Sequence, residues 1–128
     1  MIVDASAVLA VIFKEPGHLG LVAKLASVRN KGIGAPTLVE VSLVLGGKFG
    51  EGVVEILSEF SQRFELTPIS FTSEHWHTAT AAFLRYGKGR HPAALNFGDC
   101  LTYAVAKVAN RPLLFVGNDF SKTDLAVA

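Results

Sequence analysis

Four carboxylates in this 128-residue chain, Asp4, Glu40, Asp99 and Asp119, stand where strands and helices meet, and their placement suggests shared chemistry. There are only four aspartates, Asp4, Asp99, Asp119 and Asp124. Asp4 directly follows the apolar pair Ile2-Val3, and Asp119 comes just after the apolar run at residues 113–116. Asp99 opens a helical pattern, and Glu40 lies in the first turn of another, which Pro36 starts. Glu51, Glu55 and Glu59 fall on outer helix faces instead. Taken singly, each acid has an ordinary use: Asp99 as a helix cap, Asp119 in a turn, Glu40 as a first-turn charge. Asp4 resists that explanation, because an unpaired charge at a buried strand end is costly. Gathered on one rim, Asp4, Glu40, Asp99 and Asp119 would push one another towards the neutral form. A divalent cation removes the conflict. Oxygen-only donors select Mg²⁺ or Mn²⁺, which generates a hydroxide nucleophile and stabilises charge building on a phosphoryl group.

The elements that must bring these acids together follow from periodicity and breakers. Residues 2–4 read as a buried strand, and residues 6–14 as a helix stopped by Glu15-Pro16-Gly17. Leu19, Val22, Leu25 and Ala26 carry a second helix to about Arg29, and Lys31-Gly32 turns the chain into a strand at residues 33–35. Leu38, Val41, Val44 and Leu45 line a third helix, expected to end at Gly46-Gly47. Val53, Ile56, Leu57 and Phe60 mark a fourth, and residues 66–70 a third strand. Thr72 caps a helix with apolar Trp76, Ala79, Phe83 and Leu84, which ends before Gly87. A basic, glycine-punctuated loop covers residues 86–92, and the helix opened by Gly98-Asp99 ends at Asn110-Arg111-Pro112. Residues 113–116 form a fourth strand, and residues 125–127 a short final one. Strands alternating with helices imply crossovers and a parallel sheet. The expectation is a single α/β domain over residues 1–128, three layers deep, with its ligand site at the carboxyl ends of the strands.

Composition narrows the function. Half the residues are hydrophobic, mean hydropathy is positive, and net charge is +1, so any nucleic-acid contact must come from a local patch. The single Cys100 excludes an internal disulfide and fits a reducing cytoplasm. The longest apolar run, residues 5–13, is far short of the ~18 residues of a membrane span and has no basic stretch before it. His75 and His77, two apart on a helix, face different ways and make a poor metal pair. Cys100 has no nearby histidine to activate it. Gly46-Gly47-Lys48-Phe49 lacks the spacing of a phosphate-binding loop, and no Gly-x-Gly-x-x-Gly follows the first strand.

Four segments, in order and spacing, resemble the PIN domain, and most closely the VapC-type toxins of bacterial toxin–antitoxin pairs. They are Ile2-Val3-Asp4-Ala5-Ser6-Ala7, Pro36-Thr37-Leu38-Val39-Glu40, Leu95-Asn96-Phe97-Gly98-Asp99-Cys100 and the stretch from Leu113 through Gly117-Asn118-Asp119 to Asp124. The resemblance spans the chain and implies a PIN-like α/β/α fold with a short, mainly parallel sheet. It further implies a Mg²⁺-dependent endoribonuclease that cuts RNA with metal-activated water, as a homodimer restrained by a cognate antitoxin. Asp4, Glu40, Asp99 and Asp119 would hold metal, with Ser6 supporting the first acid. The family often has two acids after the fourth-strand glycine, and the first of them is Asn118 here. Asn118, Asp119 and Asp124 therefore remain alternatives for completing the site. Arg85, Lys88, Arg90 and His91 are the candidates for gripping RNA phosphates. Two other function classes fit part of the sequence. One is a catalytically silent binding module whose acids receive basic partner groups. The other is aspartyl phosphotransfer through Asp4, for which a second aspartate would be expected where Ser6 stands.

Overall fold

The computed structural model describes all 128 residues. In chain order the elements are β1 (Ile2–Val3), α1 (Ala5–Ile12), α2 (His18–Ser27), β2 (Lys31–Gly34), α3 (Ala35–Phe49), α4 (Val53–Arg63), β3 (Leu66–Ile69), α5 (Ser73–Tyr86), α6 (Phe97–Ala109) and β4 (Leu113–Leu114). The strands form one wholly parallel sheet in the order β3-β2-β1-β4. Pro68 cannot donate to a ladder on both sides, and β3 is accordingly an edge strand.

Alternation along the short strands builds the three layers. Val3, Ile33 and Leu114 pack on one face with Val8, Leu25, Val41, Leu45, Leu57 and Phe60 from α1 to α4. Ile2 and Leu113 pack on the other, with Ala79, Ala82, Tyr103 and Val105 from α5 and α6. The expected α/β/α architecture is therefore present, with β1 central and its carboxyl end opening onto the rim that carries Asp4.

Several boundaries differ from expectation for local reasons. Lys31 is in β2 rather than a turn: it is buried, and its Nζ donates to the Val28 carbonyl at 2.6 Å. Gly32 belongs to the strand because Ile69 lies against it, a Cβ there standing 2.5 Å from Ile69 Cδ1. Helix α3 runs on through Gly46-Gly47 and ends at Gly50, where φ is +59°. Its start at Ala35 moves Glu40 from the first turn to the second. In α2 Leu25 is buried and Leu19 points into solvent. Residues 125–127 form no full strand and pair with β4 through one bridge, Leu113 to Val127. Helix α5 buries His75, Ala79, Ala82 and Tyr86, while Trp76, Phe83 and Leu84 remain exposed.

Candidate active site

Asp4 is the N-cap of α1 and only 6% exposed. Its Oδ2 accepts hydrogen bonds from the Ser6 backbone N–H (3.0 Å) and the Ser6 hydroxyl (2.6 Å). Ser6 Oγ in turn accepts from the Val116 N–H at 3.0 Å. One hydroxyl thus fixes the first acid and ties it to the segment leaving β4, which carries Asp119.

Asp99 is held by a reciprocal cap at the start of α6. The Asn96 N–H donates to Asp99 Oδ2 at 3.0 Å, and the Asp99 N–H donates to Asn96 Oδ1 at 2.9 Å. The sequence reading missed Asn96, although Asn followed three residues later by an acid is a visible form of that box. Glu40 reaches across from α3 to the same place. A Cβ on Gly98 would stand 2.9 Å from Glu40 Oε2, so glycine is what lets the two helices share this point. A buried hydrogen bond between Thr37 Oγ1 and Thr102 Oγ1, 3.2 Å long, joins α3 to α6. Each threonine lies three residues from an acid, so the bond sets the separation of Glu40 and Asp99. Nothing in the sequence pairs these two hydroxyls; only the packed helices do.

The electrostatics follow from this packing. Burial raises the proton affinity of Glu40, and the charges of Asp4 and Asp99 raise it further. Burial likewise lifts Asp99; the hydrogen bond from Asn96 opposes the lift, and Asp4 and Asp119 add to it. Glu40 and Asp99 thus both feel the charge of Asp4, and Asp119, exposed at the start of a 3₁₀ turn, acts on Asp99. Asp124 lies elsewhere: it accepts from Tyr103 Oη at 2.6 Å and Lys107 Nζ at 2.7 Å. Asn118 is exposed, and its backbone carbonyl accepts from Ser121 Oγ at 2.6 Å.

The donor set fits a hard divalent cation. It is all oxygen and carries a like-charge conflict that a cation would relieve. No three of the side chains stand close enough together to hold one ion by direct contact alone. An open arrangement suits Mg²⁺, which binds through one or two carboxylates and keeps several waters.

The basic residues do not form one patch. Arg85 is 4.0 Å from Asp124 and lies over the Tyr86 ring, whereas Arg90 lies over Phe83, which faces a different recess of α5. Lys88 is exposed. His91 Nδ1 accepts from the Ala93 N–H at 3.0 Å, a loop-shaping role. His75 is buried in the Thr72 cap of α5, and exposed His77 stacks on Trp76, so they make no metal pair.

The crowding at Gly98 yields a prediction. Gly98→Ala keeps the fold, since alanine is the better helix residue by about 0.8–1 kcal/mol. It displaces the flexible end of Glu40 and should lower catalysis by about 10-fold or more, a misplacement near 1 Å being able to cost about 100-fold. Turnover measured beside circular dichroism checks this; undiminished turnover would remove Glu40 from the site.

The sequence profile of the PIN domain matches residues 1–125. The chain is 49% identical over 126 residues to Ribonuclease VapC36 of Mycobacterium tuberculosis, covering 98% of this chain and 91% of that protein. Among solved structures, the sarcin-ricin-loop-cleaving toxin VapC20 of Mycobacterium tuberculosis superposes with a TM-score of 0.78 at 16% identity, over 99% of this chain and 97% of that one. A toxin–antitoxin complex from Klebsiella pneumoniae superposes at 0.73 with 15% identity, over 99% and 95%. The chain belongs to the PIN-domain family, within its VapC ribonucleases.

Proposed function

We propose that this protein is a metal-dependent endoribonuclease acting as the toxin of a toxin–antitoxin pair. The observation that supports the reading is the placing of three acids on three separate elements: Asp4 at the end of β1, Glu40 on α3 against Gly98, and Asp99 in the first turn of α6. A divalent cation held there, Mg²⁺ or Mn²⁺, supplies Lewis-acid activation of water and neutralises charge building on the scissile phosphate. Asp4, Glu40 and Asp99 are its ligands, directly or through water, and Asp119 orients the attacking side from its exposed position beside Asp99. Ser6 keeps Asp4 in register, and Asn118 lies next to the site in place of an acid. Residues 1–128 act as one domain.

Lys88 and Arg90 grip RNA phosphates, with Arg85 further along α5. The free Cys100 is in keeping with a cytoplasmic protein, and no helix is long and apolar enough to cross a membrane. Exposed Leu43 on α3 and Val54 on α4 support protein partners: a second copy of the chain, and an antitoxin of the kind that the Klebsiella toxin–antitoxin complex contains.

The decisive experiment is cleavage of a mixed RNA pool with Mg²⁺ or excess EDTA. The expected result is cutting that yields 5′-phosphate ends, stops in EDTA and resumes with added Mg²⁺. Undiminished cutting in EDTA would overturn the metal dependence. RNA binding without cutting would instead indicate a silent module. Charge reversal of Lys88 and Arg90 together should weaken RNA binding and reduce its salt slope by roughly 1.4, two single-strand phosphate contacts being lost. An unchanged slope would take these residues out of the interface.

A further inference from the structure

We infer that the recess between α5 and α6 is a nucleobase-stacking pocket, with Phe97 as its wall on the side of the acidic rim. This rests on the ribonuclease reading and adds to it where the substrate is gripped. Phe97 is 81% exposed, more than any other large apolar side chain in the chain. It is the first residue of α6, next to Gly98 against which Glu40 packs, and two residues before Asp99. A base resting on its ring therefore lies beside the carboxylates.

Behind Phe97 the recess encloses about 360 Å³, and Phe71, Trp76 and Phe83 supply three more aromatic faces. Trp76 is 61% and Phe83 42% exposed, so these rings are not spent on the core. The Arg90 guanidinium lies 5.5 Å from the Phe83 ring centre. A cation thus stands next to the Phe83 wall, outside the lining itself, while the acidic rim begins beyond Phe97. That charge arrangement suits one nucleotide of a polyanion, with its base on the rings and a phosphate at Arg90. An aliphatic peptide segment would gain nothing from the cation. With seven of eight lining residues hydrophobic, the pocket stacks a base without reading its hydrogen-bonding edge, and so tolerates all four bases.

Trp76 is the only tryptophan in the chain and reports the event directly. The experiment titrates the non-cleaving Asp99→Asn protein with short oligo(A) and with an abasic oligomer of equal length and charge. Binding is followed by fluorescence anisotropy and by Trp76 emission. The expected result is Trp76 quenching by oligo(A) and none by the abasic chain. Phe97→Ala should weaken oligo(A) binding roughly 5- to 150-fold, the range for losing one stacked base. Phe97→Tyr should restore it, and Phe97→Leu, apolar without a π face, should not. Oligo(A) binding with Trp76 unquenched and Phe97→Ala unaffected would overturn the pocket while leaving Mg²⁺-dependent cleavage by the wild type intact. A Trp76 change that tracks protein concentration without RNA would give the recess to a second copy and overturn it as well. Absence of both RNA binding and wild-type cleavage would bring down the ribonuclease reading and the pocket together.

Discussion

Asp99→Asn should abolish RNA cleavage, by more than about 100-fold, and should leave the protein at least as heat-stable as the wild type. The first half follows from Asp99 being a proposed ligand: groups merely behind metal ligands are worth about 10- to 100-fold. The second half follows from the geometry. Asparagine keeps an oxygen that can accept from the Asn96 N–H, so the cap of α6 survives. What disappears is a carboxylate whose proton affinity is raised by burial and by the charges of Asp4 and Asp119. The sign of the pH dependence is fixed by that direction. An acid whose folded pKa lies above its unfolded value gives the native state more bound protons across the window between the two. Stability therefore falls as pH rises through that window, and the cost is absent below the unfolded value near 4. The Asp99→Asn advantage in melting temperature should be nil at about pH 3.5 and reach its full size above the raised value. Groups remote from the rim, Asp124 among them, cancel in the difference between the two proteins, whereas Glu40, whose proton affinity the Asp99 charge helps to raise, is relieved by the same substitution and adds to the advantage. A variant that melts well below the wild type at every pH would show Asp99 to be a structural residue.

The same acids show what the sequence could and could not reveal. Asp4 was legible because an acid after a two-residue apolar strand has no cheap structural use, and β1 indeed ends at a buried Asp4. Asp99 and Glu40 were legible as residues near helix starts, although Glu40 proved to lie a turn deeper in α3. The architecture followed from alternating periods, which survive errors of a few residues at each boundary. The tertiary ties that set the acids' spacing were not legible. The Thr37–Thr102 bond, the Ser6 link to Val116 and the Glu40–Gly98 contact each join residues more than fifty positions apart. The rotation of α5 was hidden for a similar reason. Its apolar residues cover more than one face, and only the close approach of α6 over Ala79 and Ala82 selects which rings stay exposed. The sequence offered Asn118, Asp119 and Asp124 as alternatives for the last acid. Asp119 acts on Asp99, while Asp124 is engaged by Tyr103 and Lys107.

Adding Mg²⁺ at about 100 times its dissociation constant should raise the wild-type melting temperature by about 10 °C near neutral pH. Binding to the folded state alone is worth about 2.7 kcal/mol at that excess, and a domain of this size shifts by roughly 3–5 °C per kcal/mol. The proposed cation would act where like charges crowd, because it would replace repulsion among Asp4, Glu40 and Asp99 with attraction to a common centre. The shift should shrink as pH falls towards 5. Glu40 and Asp99 hold their protons more tightly than ordinary carboxyls, and protons compete with the metal for the same oxygens. Asp99→Asn and Glu40→Gln should each lose most of the increment, whereas Asp124→Asn, remote from the rim, should keep it. Differential scanning calorimetry across these proteins at two pH values would measure the effect. An increment that is the same in Asp99→Asn as in the wild type would place the ion elsewhere on the molecule. One lost in all three variants alike would mean that it depends on general charge rather than on these carboxylates.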